Sequence, residues 1–223
     1  MSKYTPGALG EFTGTTGDLV TCRWRKLKIG RNRPAKTKNK PTEAIQVQRL
    51  KIGLMSHFLK QLKKTVTAGY LSKNGDKTAR ENAMKYNLKH AISGTFSEPR
   101  IDYAKVQLSS GTLDQIYTPS ITITEGNMIQ VNWLNSPNLK IGSQENDVVF
   151  LSFYGENESV ITKENAGLRS EGVAVAKLSR TILASTVHTW MFLISADGKR
   201  ASSSRYLGSI SLNSDRLVTE NKK

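Results

Sequence analysis

The sequence is poor in the residues from which catalytic and covalent sites are built. A single cysteine, Cys22, among 223 residues excludes an intrachain disulfide and any zinc or iron–sulfur centre that needs several thiolates. The three histidines, His57, His90 and His188, fall in no H-E-x-x-H or related spacing. No serine sits in a G-x-S-x-G elbow. Glycines at 7, 10, 14 and 17 punctuate the start, but no Gly-Lys-Ser/Thr follows them, so they form turns and not a P-loop. Glu145, Asp147, Glu156, Glu158 and Glu164 lack the spacing of a calcium loop. No run approaches the ~18 apolar residues of a membrane-spanning helix. The opening Met1-Ser-Lys-Tyr-Thr-Pro-Gly7 has no apolar signal core. These absences lead us to expect a non-enzyme with no cofactor, no metal, no membrane association and no small-molecule substrate. Its expected location is the cytoplasm or an assembled particle.

What is abundant is positive charge, and it is unevenly placed. The net charge is +15, and residues 1–95 hold 20 Lys and Arg against 5 Asp and Glu, whereas residues 96–223 hold 13 of each. The densest stretch, 23–40, carries nine cations and no acid: Arg23, Arg25, Lys26, Lys28, Arg31, Arg33, Lys36, Lys38 and Lys40. Such a run repels itself unless something neutralises it, which points to a polyanion or an acidic partner surface. Trp24, inside the run, is either a stacking platform or a core residue closing a hairpin.

The pattern along the chain predicts an α+β protein. Residues 18–29 alternate, each parity apolar at first and basic later, which suits a strand leaving a core in a β-hairpin with Glu11–Gly14 before it. Arg31–Pro41 reads as an extended basic arm. Glu43 then opens a helix whose stripe is Val47, Leu50, Leu54, Phe58 and Leu62. Thr78-Ala-Arg-Glu81 is a capping box opening a second helix to about Ala91, with Met84, Leu88 and Ile92 inward. The two helices are expected to form an antiparallel hairpin. From Ile101 the period becomes two. Strands are predicted at 101–108, 120–124, 128–134, 147–154, 159–163, 171–178, 187–195 and 205–212. The expected division is 1–95 (basic hairpin, arm and helices), 96–118 (a connecting strand segment) and 119–223 (an antiparallel β-sandwich). Trp133 and Trp190 are expected to be the paired core aromatics of its two sheets.

Two resemblances follow from these residues. The stretch from Pro119, with its strand rhythm and Trp133 and Trp190, resembles a fibronectin type III or immunoglobulin-like module, although Val187–Trp190 supplies no tyrosine corner. The glycine-punctuated start, the run Pro41-Thr-Glu-Ala-Ile-Gln-Val-Gln-Arg49, and Asn82-Ala-Met-Lys-Tyr-Asn87 leading to Ile101-Asp-Tyr-Ala-Lys-Val-Gln-Leu-Ser-Ser-Gly111 resemble an uncharacterised family. Its members are small, basic, signal-less proteins of Bacteroidetes and their mobile elements. That resemblance implies the same organisation and a phage-like or assembly context, and it brings no functional residue with it.

Two functions compete. The first is a structural, self-assembling protein of virion-like or filament type, a homo-oligomer whose basic arm meets acidic neighbours or a polyanion. The second is sequence-independent nucleic-acid binding through residues 23–40, with Trp24 stacking on bases.

Overall fold

In a computed structural model the chain is a mixed α+β protein. The structure describes residues 2–6, 10–35, 40–71, 77–95, 98–124, 127–135, 138–139 and 142–211. Two compact units are present, Met1–Thr42 and Glu43–Lys223.

The first unit is an antiparallel sheet of β1 (Ser2–Lys3), β2 (Gly14–Thr16), β3 (Leu19–Trp24) and β4 (Leu27–Asn32), in the order β1-β4-β3-β2. The alternating stretch 18–29 is therefore two strands and not one. The chain reverses at Arg25–Lys26, so Trp24 lies opposite Leu27, and Arg23 opposite Lys28. No glycine, asparagine or proline marks this turn, because Arg25 itself takes the left-handed conformation with φ 56°. The reversal also flips the parity of the faces, putting Thr21, Arg23 and Lys28 on one side and Cys22, Trp24 and Ile29 on the other.

The second unit opens with α1 (Glu43–Gln61), α2 (Lys63–Gly69) and α3 (Ala79–His90). The capping box of α3 forms as the sequence predicts: the Glu81 amide donates to Thr78 Oγ1 and the Thr78 amide to Glu81 Oε2. The short pair β5 (Ile92–Gly94) and β6 (Pro99–Ile101) follows. A strand over 101–108 does not form. The chain instead makes a 3₁₀ turn at Tyr103–Lys105, and the Asn87 side chain takes the place of a ladder partner. Its Nδ2 donates to the Gln107 carbonyl and its Oδ1 accepts the Gln107 amide, both at 2.8 Å. Buried Val106 and Leu108 give that stretch its strand-like alternation without a strand.

The remaining strands are β7 (Tyr117–Thr124), β8 (Met128–Leu134), β9 (Val148–Gly155), β10 (Val160–Leu168), β11 (Val173–Lys177), β12 (Val187–Ile194) and β13 (Arg205–Ile210), with a short helix α4 (Arg180–Leu183) between β11 and β12. They form two antiparallel sheets, β11-β8-β7 and β10-β9-β12-β13. One face of the four-stranded sheet packs on the other sheet: Val149, Leu151, Phe153, Val187, Met191 and Leu193 meet Ile129, Val131 and Trp133. Its opposite face carries Tyr154 and Trp190, which pack with Met55, Phe58, Leu59, Leu62 and Val66 of the helical layer. The unit is thus a sandwich with helices over one sheet.

This arrangement corrects the expected pairing of tryptophans. Trp133 lies between the sheets, but Trp190 points the other way, into the helices. Its ring lies 6.3 Å from that of Phe58. It also explains why β9 and β12 read as nearly unbroken apolar runs, since strands covered on both faces need no polar side. The stripe of α1 shifts accordingly. Val47, Phe58 and Leu62 are buried as the spacing predicts, and Met55 and Leu59 join them, while Leu50 is 54% exposed. On α3, Ala83 and Asn87 are the buried residues, with Met84 and Leu88 half-buried beside them. Among the described residues no helix is long and apolar enough to cross a membrane.

Candidate functional site

The basic residues 23–40 do not form one continuous arm. Four of them gather at the β3–β4 tip. Trp24 is 53% exposed there, and the Arg25 guanidinium carbon sits 4.9 Å from its ring centroid. That is cation–π distance. Arg23 Nε donates to the Arg25 carbonyl at 3.3 Å, tying the tip together. Arg23 and Lys26 are exposed. Lys28 pairs with Glu11 at 3.2 Å, which relieves the like-charge pairing with Arg23 across the strands. At that exposure Trp24 is not a core residue closing the hairpin.

Arg31 and Arg33 lie at the other end of β4, about 17 Å of strand from the tip at ~3.3 Å per residue, and both are exposed. The Arg33 amide donates to the Asp18 carbonyl. Lys40 is exposed. Lys36 and Lys38 lie outside the described residues. At this end, away from the tip, an open groove of about 600 Å³ is lined by Tyr4, Phe12, Leu19 and Arg31 among others. Tyr4 packs its ring 5.7 Å from Phe12 and donates its hydroxyl to the Phe12 carbonyl at 2.9 Å.

The carboxylates grouped by sequence are dispersed by the fold. Asp147 is buried against Arg169, with Nε and Nη2 donating to its Oδ2 at 3.2 and 3.1 Å. Glu156 and Glu158, at the β9–β10 turn, face two different histidines. His188 Nε2 lies 3.4 Å from Glu156 Oε1, and His57 Nε2 lies 3.0 Å from Glu158 Oε1. Among the described residues no cluster of His, Cys, Asp and Glu is able to hold a metal. His90 turns its Nδ1 towards the Tyr86 carbonyl, 3.0 Å away.

One cluster had no signal in the sequence spacing. Tyr103, Tyr154, His188 and Tyr206 converge from a 3₁₀ turn and three strands. Tyr103 stacks on His188 with centroids 3.8 Å apart, and His188 Nδ1 lies 2.8 Å from the Tyr206 hydroxyl. Burial shifts all four groups towards their neutral forms. It raises the Tyr154 hydroxyl to about 12, raises Tyr103 and Tyr206 with help from the Glu156 charge, and lowers His188 against the opposing pull of Glu156. Three tyrosines and a histidine that lie 51, 34 and 18 residues apart in sequence share no motif; the β9–β12–β13 register brings Tyr154, His188 and Tyr206 together, and the 3₁₀ turn adds Tyr103.

The family described as a family of unknown function, DUF6266, matches residues 11–208. No curated protein matches the chain.

Proposed function

The chain belongs to DUF6266, a family of unknown function, and from its own residues we propose that it is a non-enzymatic, self-assembling structural protein of virion-like or filament type. Its N-terminal unit docks onto neighbouring copies and presents its cations to an acidic surface or polyanion. The observation that carries this reading is how little that unit buries. Among its described residues only Thr21 and Ile29 are buried, while Phe12, Leu19 and Trp24 are exposed. A sheet unit of about this size rarely holds itself together without a disulfide, a metal or a partner, and Cys22 is the only cysteine. Contacts of one surface on a different surface of the next copy generate rings or filaments.

The non-enzymatic part is supported by the sequence, in which no histidine, cysteine or serine falls in a catalytic spacing. We further read the C-terminal sheets as fibronectin type III or immunoglobulin-like. The order β11-β8-β7 over β10-β9-β12-β13 supports this, because such sandwiches likewise put their first, second and fifth strands in one sheet and their third, sixth and seventh in the other. The assignment to mobile elements and a phage-like setting rests on the family resemblance.

Size-exclusion chromatography with light scattering on nuclease-treated protein, across a salt series and with the 260/280 nm ratio recorded, tests the proposal. Large particles free of nucleic acid that persist at high salt are expected. A monomer that grows only when DNA or RNA is added would favour the second reading, sequence-independent nucleic-acid binding. That reading has its own support in the exposed Trp24 among Arg23, Arg25 and Lys26.

A further inference from the structure

The geometry points to the β3–β4 tip as a stacking site for single-stranded nucleic acid, an inference that rests on the polyanion part of the reading above and names its ligand. Three observations carry it. The first is that the indole of Trp24 is open to solvent and backed by a guanidinium, with Arg25 at 4.9 Å from the ring centroid. A base laid on the open indole would complete a base–indole–guanidinium stack, the arrangement that sequence-tolerant single-strand binders use.

The second is the division of labour across the hairpin. Alternation places Trp24 on one face and the Arg23–Lys28 pair on the other. The tip is only two strands and a two-residue turn wide. A nucleotide chain rounding it meets a flat ring for its bases and, within one strand width, the exposed Arg23 for its phosphates, while Lys28 beside it already pairs with Glu11. Lys26 at the turn adds a second exposed cation.

The third is the turn itself. Two-residue hairpin turns with a left-handed first position favour asparagine or glycine. Here that position, φ 56°, is held by Arg25. A residue kept in a disfavoured conformation at an exposed tip marks a position where the side chain matters more than the turn.

The same observations separate this ligand from its competitors. In a duplex the bases are stacked on each other, and the indole reaches a base face only after unstacking. An acidic segment of a second copy offers charge but no flat face for the ring.

The protein carries its own reporter. Trp133 is 4% exposed and Trp190 0%, against 53% for Trp24, so the solvent-exposed tryptophan emission belongs to Trp24. The full-length protein is titrated with oligo(dT) of about ten nucleotides, within the usual site size, and with a blunt duplex of the same length. The single strand is expected to quench the emission and bind more tightly. Its log affinity should fall by about 0.7 per log unit of salt for each phosphate neutralised. Anisotropy of labelled oligo(dT) measures the variants. Trp24→Ala should weaken binding about 5- to 150-fold. Arg25→Gly should also weaken it while melting no lower than the parent, because it suits the turn better.

Equal affinity for duplex and single strand would overturn the inference, as would undiminished binding by both variants. Emission from Trp24 that changes on self-association and not with oligo(dT) would assign the tip to a second copy instead. Light scattering of the same samples keeps the two proposals apart. Particles that form normally in Trp24→Ala while oligo(dT) binding is unchanged sink the tip and leave assembly standing. Binding without particles does the reverse.

Discussion

Replacing Arg169 with methionine should destabilise the C-terminal unit by about 3–5 kcal/mol, the usual result of removing one partner of a buried ion pair. Arg169 and Asp147 are each 1% exposed. The guanidinium donates twice to Asp147 Oδ2 and once, at 2.8 Å, to the Asp114 carbonyl. Methionine fills much of the same space but makes none of these bonds. The Asp147 carboxylate would then lie buried with the Gln144 amide at 3.0 Å in place of a counter-charge. The backbone is spared, since the residue 169 carbonyl still accepts from Trp133 Nε1 at 3.0 Å and Asn135 Nδ2 at 2.7 Å. For a unit of this size each kcal/mol moves the melting temperature by roughly 2–4 °C, so a fall of about 6–20 °C is expected by circular dichroism. The double variant Arg169→Met/Asp147→Leu removes both charges and should recover most of the loss, because apolar replacements of buried pairs are often neutral or better. A single variant that melts within about 2 °C of the parent would refute this account. So would a double variant whose loss is the sum of the two singles.

Phe58→Ala should cost about 3–5 kcal/mol in urea unfolding, since Phe58 is buried at the centre of the helix–sheet contact with Tyr154 5.0 Å away. Leu50→Ala, on the exposed side of the same helix, should stay within about 0.5 kcal/mol. Stability should fall as pH drops below the ordinary histidine value. His188 is held below it by burial, so the unfolded chain takes up the proton first, and His188→Gln should flatten a melting-temperature series from pH 7.5 to 5.5. Gly53→Ala should raise stability by about 0.5–1 kcal/mol, since Gly53 lies within α1 and a Cβ there meets nothing within 4 Å. Gly111→Ala should lower stability and bring non-native shifts around Ala201, because its Cβ would run into the Ala201 backbone.

Local signals in the sequence carried well where the local physics decides. The capping box at Thr78–Glu81 formed as read, and seven of the eight predicted strand positions from 101 onwards hold strands of the sandwich. The eighth, 101–108, was lost to a tertiary substitute, the Asn87 amide, which no periodicity records. The hairpin at Arg25–Lys26 was hidden because its turn lacks the usual residues and its strands keep alternating through it. Trp190 was misdirected for a readable reason. Val187–Ile194 has no polar parity, and a strand without a polar parity is covered on both sides. For the candidate site, the cations were legible one by one. Their split into a tip and a distant base was not, since it depends on where the chain turns.

The helices that cover the four-stranded sheet precede it in the chain, and this sets a schedule for synthesis. Leu62 leaves the ribosome 128 residues before Trp190, which belongs to the same buried cluster. At about 5–20 residues per second the apolar side of α1 waits on the order of 6–26 s for its sheet. During that interval Met55, Phe58, Leu59 and Leu62 have only the other helices for shelter. Slowing translation lengthens that interval and should lower the soluble yield.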